Sequence, residues 1–273
     1  MKKALLLGAT GTAVAIVMLA AGFLAGRQQV EIADVPAPAA QASPTNVAEL
    51  DRQEVETIVR DYLLTNPEVL LEAQQALEIK KQEQERLASR EVISEARAEI
   101  FNSAYDGIVG NPDGKVTIVE FYDYNCGYCK RAQEDMQALT AADPDLRFVL
   151  KEFPILGPDS HKAHIVSMAF RALAPEKYGE FHNQLLGSEG RADENAAIKI
   201  ALSLGADEAK LREEMKNPAI ADAFSKTYEL ANKLSITGTP SYVVGNEVVF
   251  GALGKDVLSE KIEAARACGE EGC

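Results

Sequence analysis

Two cysteines separated by two residues are the part of this sequence with the clearest chemical potential. Cys126 and Cys129 flank Gly127-Tyr128, where a β-branched and aromatic segment (115–124) ends and a helical pattern begins. A thiol at the start of a helix meets unpaired backbone N–H groups and the positive end of the helix dipole, which lower its pKa. A thiolate of low pKa is also a good leaving group. The spacing therefore predicts a redox dithiol in which Cys126 is the reactive thiol.

Two other uses of this cysteine pair have to be weighed. The pair could form an inert structural disulfide, or it could be half of a zinc site completed by Cys268 and Cys273. Zinc pairs usually lie on short knuckles, so the strand–CxxC–helix context favours the redox dithiol. Cys268 and Cys273 themselves could form a local disulfide or a soft-metal tail.

Two histidines suggest a further metal site. His161 and His164 lie three residues apart at the start of a predicted helix. A metal site normally needs more ligands, and no cysteine accompanies them locally. A capping or surface role is therefore favoured for both, and we predict no metal and no cofactor.

A Thr-Pro pair precedes a predicted hairpin. Thr239 and Pro240 come directly before the segments 241–244 and 248–250, which flank a Gly-Asn turn signal. A proline there cannot donate to a strand ladder, so it marks a turn or an edge. With a cis peptide bond it could pack against the dithiol and offer the Thr239 backbone to an extended substrate, whereas a trans bond is the commoner state.

The elements that carry these residues follow a recognisable order. A strand (115–124) leads into the CxxC helix, and a second strand (146–153) follows. A long helical block (159–234), the hairpin and a final helix (255–267) complete the chain. This order predicts an α/β domain with a helical insertion over residues 105–273.

The N-terminus sets the compartment. Residues 1–27 contain two lysines, an uncharged run over 4–26 and a closing arginine, the pattern of an export signal. The run is also long enough to span a bilayer, so it is either a cleaved signal or a retained membrane anchor. Both alternatives place the rest of the chain in a compartment that permits disulfides. Residues 28–45, rich in alanine and proline, predict an extended linker.

Residues 46–104 predict a helical arm. Apolar stripes occur before and after a break at Asn66-Pro67, and the stretch 80–86 (KKQEQER) has no apolar face. A helix so polar in the middle is either a solvated stalk or oligomerisation arm, or a charged helix on the domain surface. The arm is favoured, because the stripe at each end needs something to bury against.

Composition excludes several classes of protein. The chain has 28 basic and 42 acidic residues, so its net charge is 28 − 42 = −14, which argues against nucleic acid as a partner. A hydrophobic content of 47% supports a real core. Four cysteines in 273 residues exclude a small disulfide-stapled scaffold.

The order of motifs resembles a known family. A strand, a C-x-x-C at a helix start, a helical insertion, a Thr-Pro before a hairpin and a terminal helix resemble the DsbA-like branch of the thioredoxin superfamily. The run IVRDYLLTNPEVLLEAQQAL (58–77) is similar to the N-terminal domain of suppressor-of-copper-sensitivity protein C (ScsC). The resemblance covers about residues 48–267. It implies a thioredoxin-like fold with a helical insertion, preceded by an N-terminal helical arm.

The resemblance also implies roles for individual residues. Cys126 matches the nucleophile, Cys129 the resolving cysteine, and Pro240 the cis-proline that follows Thr239. Glu120 matches the buried acid of DsbA-like proteins, which would accept the proton of Cys129. The alternative for Glu120 is a surface position on an edge strand.

One departure from the family bears on the direction of the chemistry. The strong oxidant DsbA has a histidine between its cysteines, whereas this chain has Gly127-Tyr128. A charged histidine stabilises thiolate, so its absence argues for a less oxidising disulfide. Gly-Tyr and the threonine before the proline resemble instead the periplasmic isomerase DsbC, whose dithiol must be held reduced.

The function expected from these features is that of an exported thiol–disulfide oxidoreductase. It would act in the periplasm as an isomerase or reductase on misfolded or misbridged exported proteins. By resemblance, a membrane thiol reductase of the ScsB or DsbD type would keep it reduced, and residues 46–79 would form a homotrimer. The alternatives are a net oxidase of the DsbA kind and a copper- or zinc-binding protein. The low content of Met (5) and His (3) counts against the latter.

Overall fold

The computed structural model describes residues 51–268. The predicted signal or anchor (4–26) and the predicted linker (28–45) lie outside this range, as does Cys273. Among the described residues, no helix combines the length and apolar character needed to cross a membrane. The membrane-tether prediction concerns the N-terminal run only and stays a prediction.

Two helices make up the N-terminal region. Helix α1 (Arg52–Thr65) and helix α2 (Glu68–Glu95) are separated at Asn66-Pro67, as the sequence predicts, because proline is compatible with a helix start but not with a helix interior. The chain divides into two compact units between Thr65 and Asn66. Within α2 the polar stretch 80–86 is part of one uninterrupted helix, and its residues 80–85 are exposed.

A five-stranded mixed sheet forms the centre of the second unit. Its strand order is β1-β3-β2-β4-β5. Strand β2 runs parallel to β3, and the other neighbours are antiparallel. The strands are β1 (Gly107–Gly110), β2 (Val116–Tyr122), β3 (Leu146–Glu152), β4 (Ser241–Val244) and β5 (Glu247–Phe250). Strand β1 is not predicted by the sequence pattern, because two of its four residues are glycines, which are rare in strands.

Helices cover both faces of this sheet. Helix α4 follows β2 and begins at the CxxC, while α5 to α9 lie between β3 and β4 and form the predicted helical insertion. The helices are α3 (Arg97–Phe101), α4 (Gly127–Ala142), α5 (Pro158–Leu173), α6 (Tyr178–Leu186), α7 (Glu194–Ser203), α8 (Glu208–Glu214), α9 (Pro218–Lys233) and α10 (Lys255–Cys268). The predicted thioredoxin-like fold with a helical insertion is confirmed.

Strand β2 shows how the two faces differ. Ile118 and Tyr122 point to the face that buries both active-site cysteines. Val119 and Phe121 point to the opposite face, because successive side chains of a strand alternate. All four side chains are inaccessible to solvent. Side chains at the C-terminal end of β2 are therefore enclosed on both faces.

The end of the predicted arm packs onto the second of these faces. Ile93, Ile100 and Phe101 belong to the same buried cluster as Val119 and Phe121. The apolar stripe at the C-terminal end of residues 46–104 thus finds its burial on the sheet of its own chain.

Lys151 of β3 links α3 to this sheet and also forms a buried ion pair. The amino group of Lys151 donates to the backbone carbonyl of Glu99, at 2.5 Å, and to the carboxylate of Asp106, at 2.6 Å. A buried charge requires such partners, since its desolvation is costly.

Candidate active site

The two cysteines of the CxxC occupy the first turn of α4. Cys126 is the N-cap residue, and the backbone N–H of Cys129 donates to its Sγ at 3.5 Å. Both are free thiols. Cys126 is 6% exposed and Cys129 is fully buried. Cys126 is therefore the more accessible of the two cysteines.

Their surroundings separate the two thiols electrostatically. The hydrogen bond from Cys129 lowers the pKa of Cys126 to about 5, against the opposing effect of burial. Burial raises the pKa of Cys129 far above the ordinary range, and its hydrogen bond with Cys126 and the charge of Glu120 raise it further. At neutral pH the pair therefore consists of one thiolate and one thiol, the arrangement that a nucleophile and a resolving cysteine require.

The Thr239-Pro240 pair lies directly against Cys126. The peptide bond between the two residues is cis, as the family resemblance implies and contrary to the commoner trans state. In its thiol form, Cys126 donates through Sγ to the carbonyl oxygen of Thr239, at 3.1 Å. Pro240 in turn accepts the backbone N–H of Gly251 at 2.9 Å, which ties the segment to the hairpin. A stretch 113 residues from Cys126 thus forms one wall of the site.

Glu120 is a buried acid beneath the dithiol. It lies in β2, at the centre of the sheet, and its side chain is 3% exposed, so the alternative of a surface glutamate on an edge strand is wrong. Burial raises the pKa of Glu120 to about 8, and the negative charge of Cys126 contributes to the rise. Glu120 therefore titrates close to neutral pH, which suits a group that exchanges protons.

The segment between β2 and α4 is held by a carboxylate that the sequence analysis did not single out. Asp123 is completely buried. Its carboxylate accepts hydrogen bonds from the backbone N–H groups of Asn125, Ile155 and Leu156, at 2.8, 2.9 and 2.9 Å, and from the hydroxyl of Ser160, at 2.8 Å. Its backbone oxygen accepts the N–H of Cys126 at 3.0 Å. A turn-forming Asp-x-Asn directly before the CxxC was the available signal.

Asn125 connects this segment to the helical insertion. Its amide nitrogen donates to the Ser160 hydroxyl at 2.9 Å and to the Ala192 carbonyl at 2.8 Å, and its oxygen accepts the Ala192 N–H at 2.8 Å. Asn125, the residue before the nucleophile, is thus held by two segments of the helical insertion: Ser160 in α5 and Ala192 shortly before α7.

The other candidate ligands do not join the dithiol. Cys268 is disulfide-bonded, so its sulfur does not complete a zinc site with the CxxC. His161 lies with its ring 5.0 Å from that of Phe224, whereas His164 is fully buried, contrary to the expected surface role. Within residues 51–268, no group of three or more His, Cys, Asp or Glu side chains is arranged to hold a metal.

Comparison with known proteins identifies relatives of both the N-terminal helices and the thioredoxin-like part of the chain. Residues 51–84 match the copper resistance protein ScsC N-terminal domain. A thioredoxin-like oxidoreductase from Silicibacter pomeroyi is 39% identical, with a TM-score of 0.60 over 63% of this chain and 98% of that chain. A linker-deletion variant of ScsC from Proteus mirabilis is 25% identical, with a TM-score of 0.61 over 82% of this chain and 99% of that chain.

Curated relatives share part of the chain. Disulfide bond formation protein D of Bacillus subtilis is 25% identical over an alignment of 169 positions, which covers 57% of this chain and 75% of that protein. An Na(+)/H(+) antiporter NhaA of Salinispora tropica is 24% identical over 162 residues, 59% of this chain. The chain spans only about a quarter of that antiporter's length, 25%.

The family follows from a match between this sequence and a family model. Residues 117–263 match the DSBA-like thioredoxin domain, which is more than half of the chain. The dithiol, the cis-proline and the buried acid lie within or beside this range. The chain belongs to the family of DSBA-like thioredoxin domains.

Proposed function

We propose that this protein is an exported protein disulfide isomerase or reductase that acts through Cys126 and Cys129. Its substrates are misfolded or misbridged exported proteins, and its compartment is the periplasm. The observation that carries the proposal is the opposite perturbation of the two thiols. The pKa of Cys126 is lowered to about 5, while that of Cys129 is raised.

The first step of the proposed reaction needs only Cys126. Its thiolate attacks one sulfur of a substrate disulfide, a mixed disulfide forms, and the second substrate sulfur leaves as a thiolate. Neither the thiolate nor the mixed disulfide of Cys126 has an S–H to donate, so the Thr239 carbonyl beside Cys126 can accept a backbone N–H of the substrate. An extended substrate segment can therefore align along Thr239 and the cis-proline.

The second step decides between isomerisation and reduction. In isomerisation another substrate thiolate attacks the substrate sulfur of the mixed disulfide, and Cys126 leaves again as a thiolate. In reduction Cys129 attacks Cys126 after losing its proton, and the substrate leaves fully reduced. The reductive route leaves an internal disulfide, whose recycling requires two electrons from a partner. A membrane thiol reductase of the ScsB or DsbD type would supply them.

Glu120 is the proposed acceptor of the Cys129 proton. While Cys126 is a thiolate, its negative charge helps to keep the pKa of Glu120 at about 8, with burial as the larger cause. That charge disappears when Cys126 enters a mixed disulfide. The pKa of Glu120 then falls, and a larger fraction of Glu120 is ionised at neutral pH. The base is thus favoured at the stage that needs it.

The helical arm is proposed to hold several active sites around one substrate. Apolar side chains of α1 and the first half of α2 are exposed, among them Ile58, Tyr62, Leu70 and Leu77. Their burial between copies would be favourable. We propose a homotrimer formed through residues 46–79, which raises the local concentration of thiolate near a bound substrate.

The redox state of Cys126–Cys129 in cells tests the direction of the reaction. Thiol trapping should find the pair mostly reduced, and purified protein should reactivate a substrate with scrambled disulfides. A mostly oxidised pair would favour instead a net oxidase of the DsbA kind. A protein that binds copper or zinc tightly but does not exchange disulfides would be a metal-binding protein.

A further inference from the structure

A polar stripe lines the buried face of α5. Ser160, His164 and Ser167 are spaced four and three residues apart, so they share one side of the helix, and all three are inaccessible to solvent. A helix face that packs into a core is ordinarily apolar. Buried polar groups persist where hydrogen bonds satisfy them, so the partners of this stripe indicate what it is for.

His164 contacts the chain just before the nucleophile. Its Nε2 accepts the backbone N–H of Tyr124 at 3.2 Å, two residues before Cys126. Its Nδ1 pairs with the carboxylate of Glu152. A backbone N–H can only donate, so Nε2 is the unprotonated nitrogen and the proton on Nδ1 faces Glu152. The two partners together fix the tautomer and the orientation of the ring.

Glu152 is in turn held as a carboxylate. Burial favours its neutral form, but the hydrogen bonds from His164 and Ser167 lower its pKa overall. The hydroxyls of Ser167 and Tyr178 donate to Glu152 at 2.6 and 3.2 Å. The Asp123 carboxylate also faces His164, with an oxygen 3.9 Å from Nε2. The His164 ring thus lies between the carboxylates of Glu152 and Asp123 and the backbone amide of Tyr124.

We propose that His164, oriented by Glu152, is a positioning residue that fixes the backbone at Tyr124 and thereby the sulfur of Cys126 at the start of α4. This role rests on the proposed function in one respect, the use of Cys126 as nucleophile. The N–H of Cys126 is bonded to the Asp123 carbonyl, so the amide of Tyr124 lies inside the turn that aims the nucleophile. Without His164 the Tyr124 N–H would lose its acceptor, and the turn before Cys126 would be held less firmly against the helical insertion.

The titration of Cys126 separates positioning from simple core filling. His164→Leu removes the acceptor, and we expect the thiolate absorbance midpoint of Cys126 to rise by about one pH unit. That is roughly the effect of one misaligned hydrogen bond to the sulfur. In His164→Gln the side-chain oxygen can again accept the Tyr124 N–H, and the midpoint should return most of the way. Thr227→Ala, which alters a buried polar residue of α9, should lower thermal stability without moving the midpoint.

The outcomes distinguish this proposal from the proposed function itself. A midpoint near ~8.5 in the unmodified protein would refute the nucleophilic Cys126. A low midpoint that His164→Leu leaves unchanged would refute the positioning role alone. If His164→Leu does not fold, Glu152→Gln takes its place. It should raise the midpoint in the same direction and speed hydrogen exchange at the Tyr124 amide, and a variant that changes neither overturns the proposal.

Discussion

The active-site segment and the N-terminal helices differ in which side chains they bury and which they expose. From Asp123 to Asn125 polar groups are buried or half-buried, and the Asp123 carboxylate, the Asn125 amide and the Tyr124 N–H all have partners within the chain. Along α1 and the first half of α2, by contrast, apolar side chains face solvent. Val55 is 40% exposed and Leu77 is 67% exposed.

The difference separates two requirements of the proposed activity. Satisfied buried hydrogen bonds make a rigid site, so a single copy of the chain contains what thiol–disulfide exchange needs. Exposed apolar stripes are incomplete until another surface covers them. Exchange chemistry should therefore depend on the dithiol region alone, while isomerisation should depend on both regions.

Replacing the nucleophile is expected to have the largest effect. Cys126→Ala should abolish reduction and isomerisation altogether, because the remaining Cys129 thiol is buried and its pKa is raised. Cys129→Ala keeps the nucleophile and should accumulate mixed disulfides with substrate, visible on non-reducing gels. Residual exchange in Cys126→Ala, or an absence of trapped adducts in Cys129→Ala, would reverse the assignment of the two roles.

A charge on the exposed stripe should separate the two regions. Leu77→Asp places a carboxylate on the proposed contact face of α2 and should convert a trimer to a monomer in light scattering. Isomerisation of a scrambled substrate should fall on the order of tenfold or more, while reduction by the dithiol stays near the original rate. Gln75→Asp adds the same charge at another exposed position of α2 and should keep the trimer.

The same pair of variants can break the comparison. A monomeric mass for the unmodified protein would remove the trimer. If Leu77→Asp is monomeric yet isomerises normally, the arm serves another purpose. Point variants are preferable to a truncation of residues 28–104, since Ile93, Ile100 and Phe101 belong to the buried core of the second unit.

The sequence predicts the dithiol and the fold well because their signals are local. Cys126 and Cys129 adjoin a strand and a helix start, and the strand around Glu120 is β-branched and aromatic, so position and chemistry can be read together. The proximity of Thr239 to Cys126 was predicted only by family resemblance. A contact across 113 residues has no local signature.

Two features of the site lay beyond pattern reading. His164 looked like a surface histidine, because nothing nearby in sequence shows that Tyr124 and Glu152 meet it in the core. The burial of Ile93 was equally hidden. The apolar stripe that contains Ile93 indicates a face that must be buried. Which surface covers that face depends on the tertiary structure and cannot be read from the pattern.

Neutralising the buried acid should alter stability in a pH-dependent way. The pKa of Glu120 is about 8 in the folded protein, above its value in the unfolded chain. The folded state therefore binds the proton more tightly, and Glu120 contributes stability at low pH that is lost as pH rises through about 8. Glu120→Gln lacks this loss. Its stability relative to the original protein should grow from about pH 4.5 towards pH 8.

Urea unfolding of the reduced proteins across this pH range measures the effect. Glu120→Gln should also slow the Cys129 step, seen as longer-lived mixed disulfides, without changing the arm or the mass of the assembly. A stability difference that is flat with pH would show that Glu120 is not the group that titrates. A normal lifetime of the mixed disulfide would remove it as the proton acceptor.

The smallest expected effect comes from the residue between the cysteines. Tyr128 is 61% exposed, and the guanidinium carbon of Arg131 lies 4.2 Å from the centre of its ring. Tyr128→His places a titratable cation beside Cys126, which stabilises the thiolate and therefore the reduced form. The disulfide should become a stronger oxidant by about 30 mV for each ~1.4 kcal/mol of that stabilisation. Equilibration with glutathione measures the shift.

Tyr128→Phe keeps an uncharged ring beside Arg131 and should leave the potential unchanged. Both variants should retain the original mass, and a histidine that does not move the potential would show that the dithiol is tuned by the backbone and Thr239 alone.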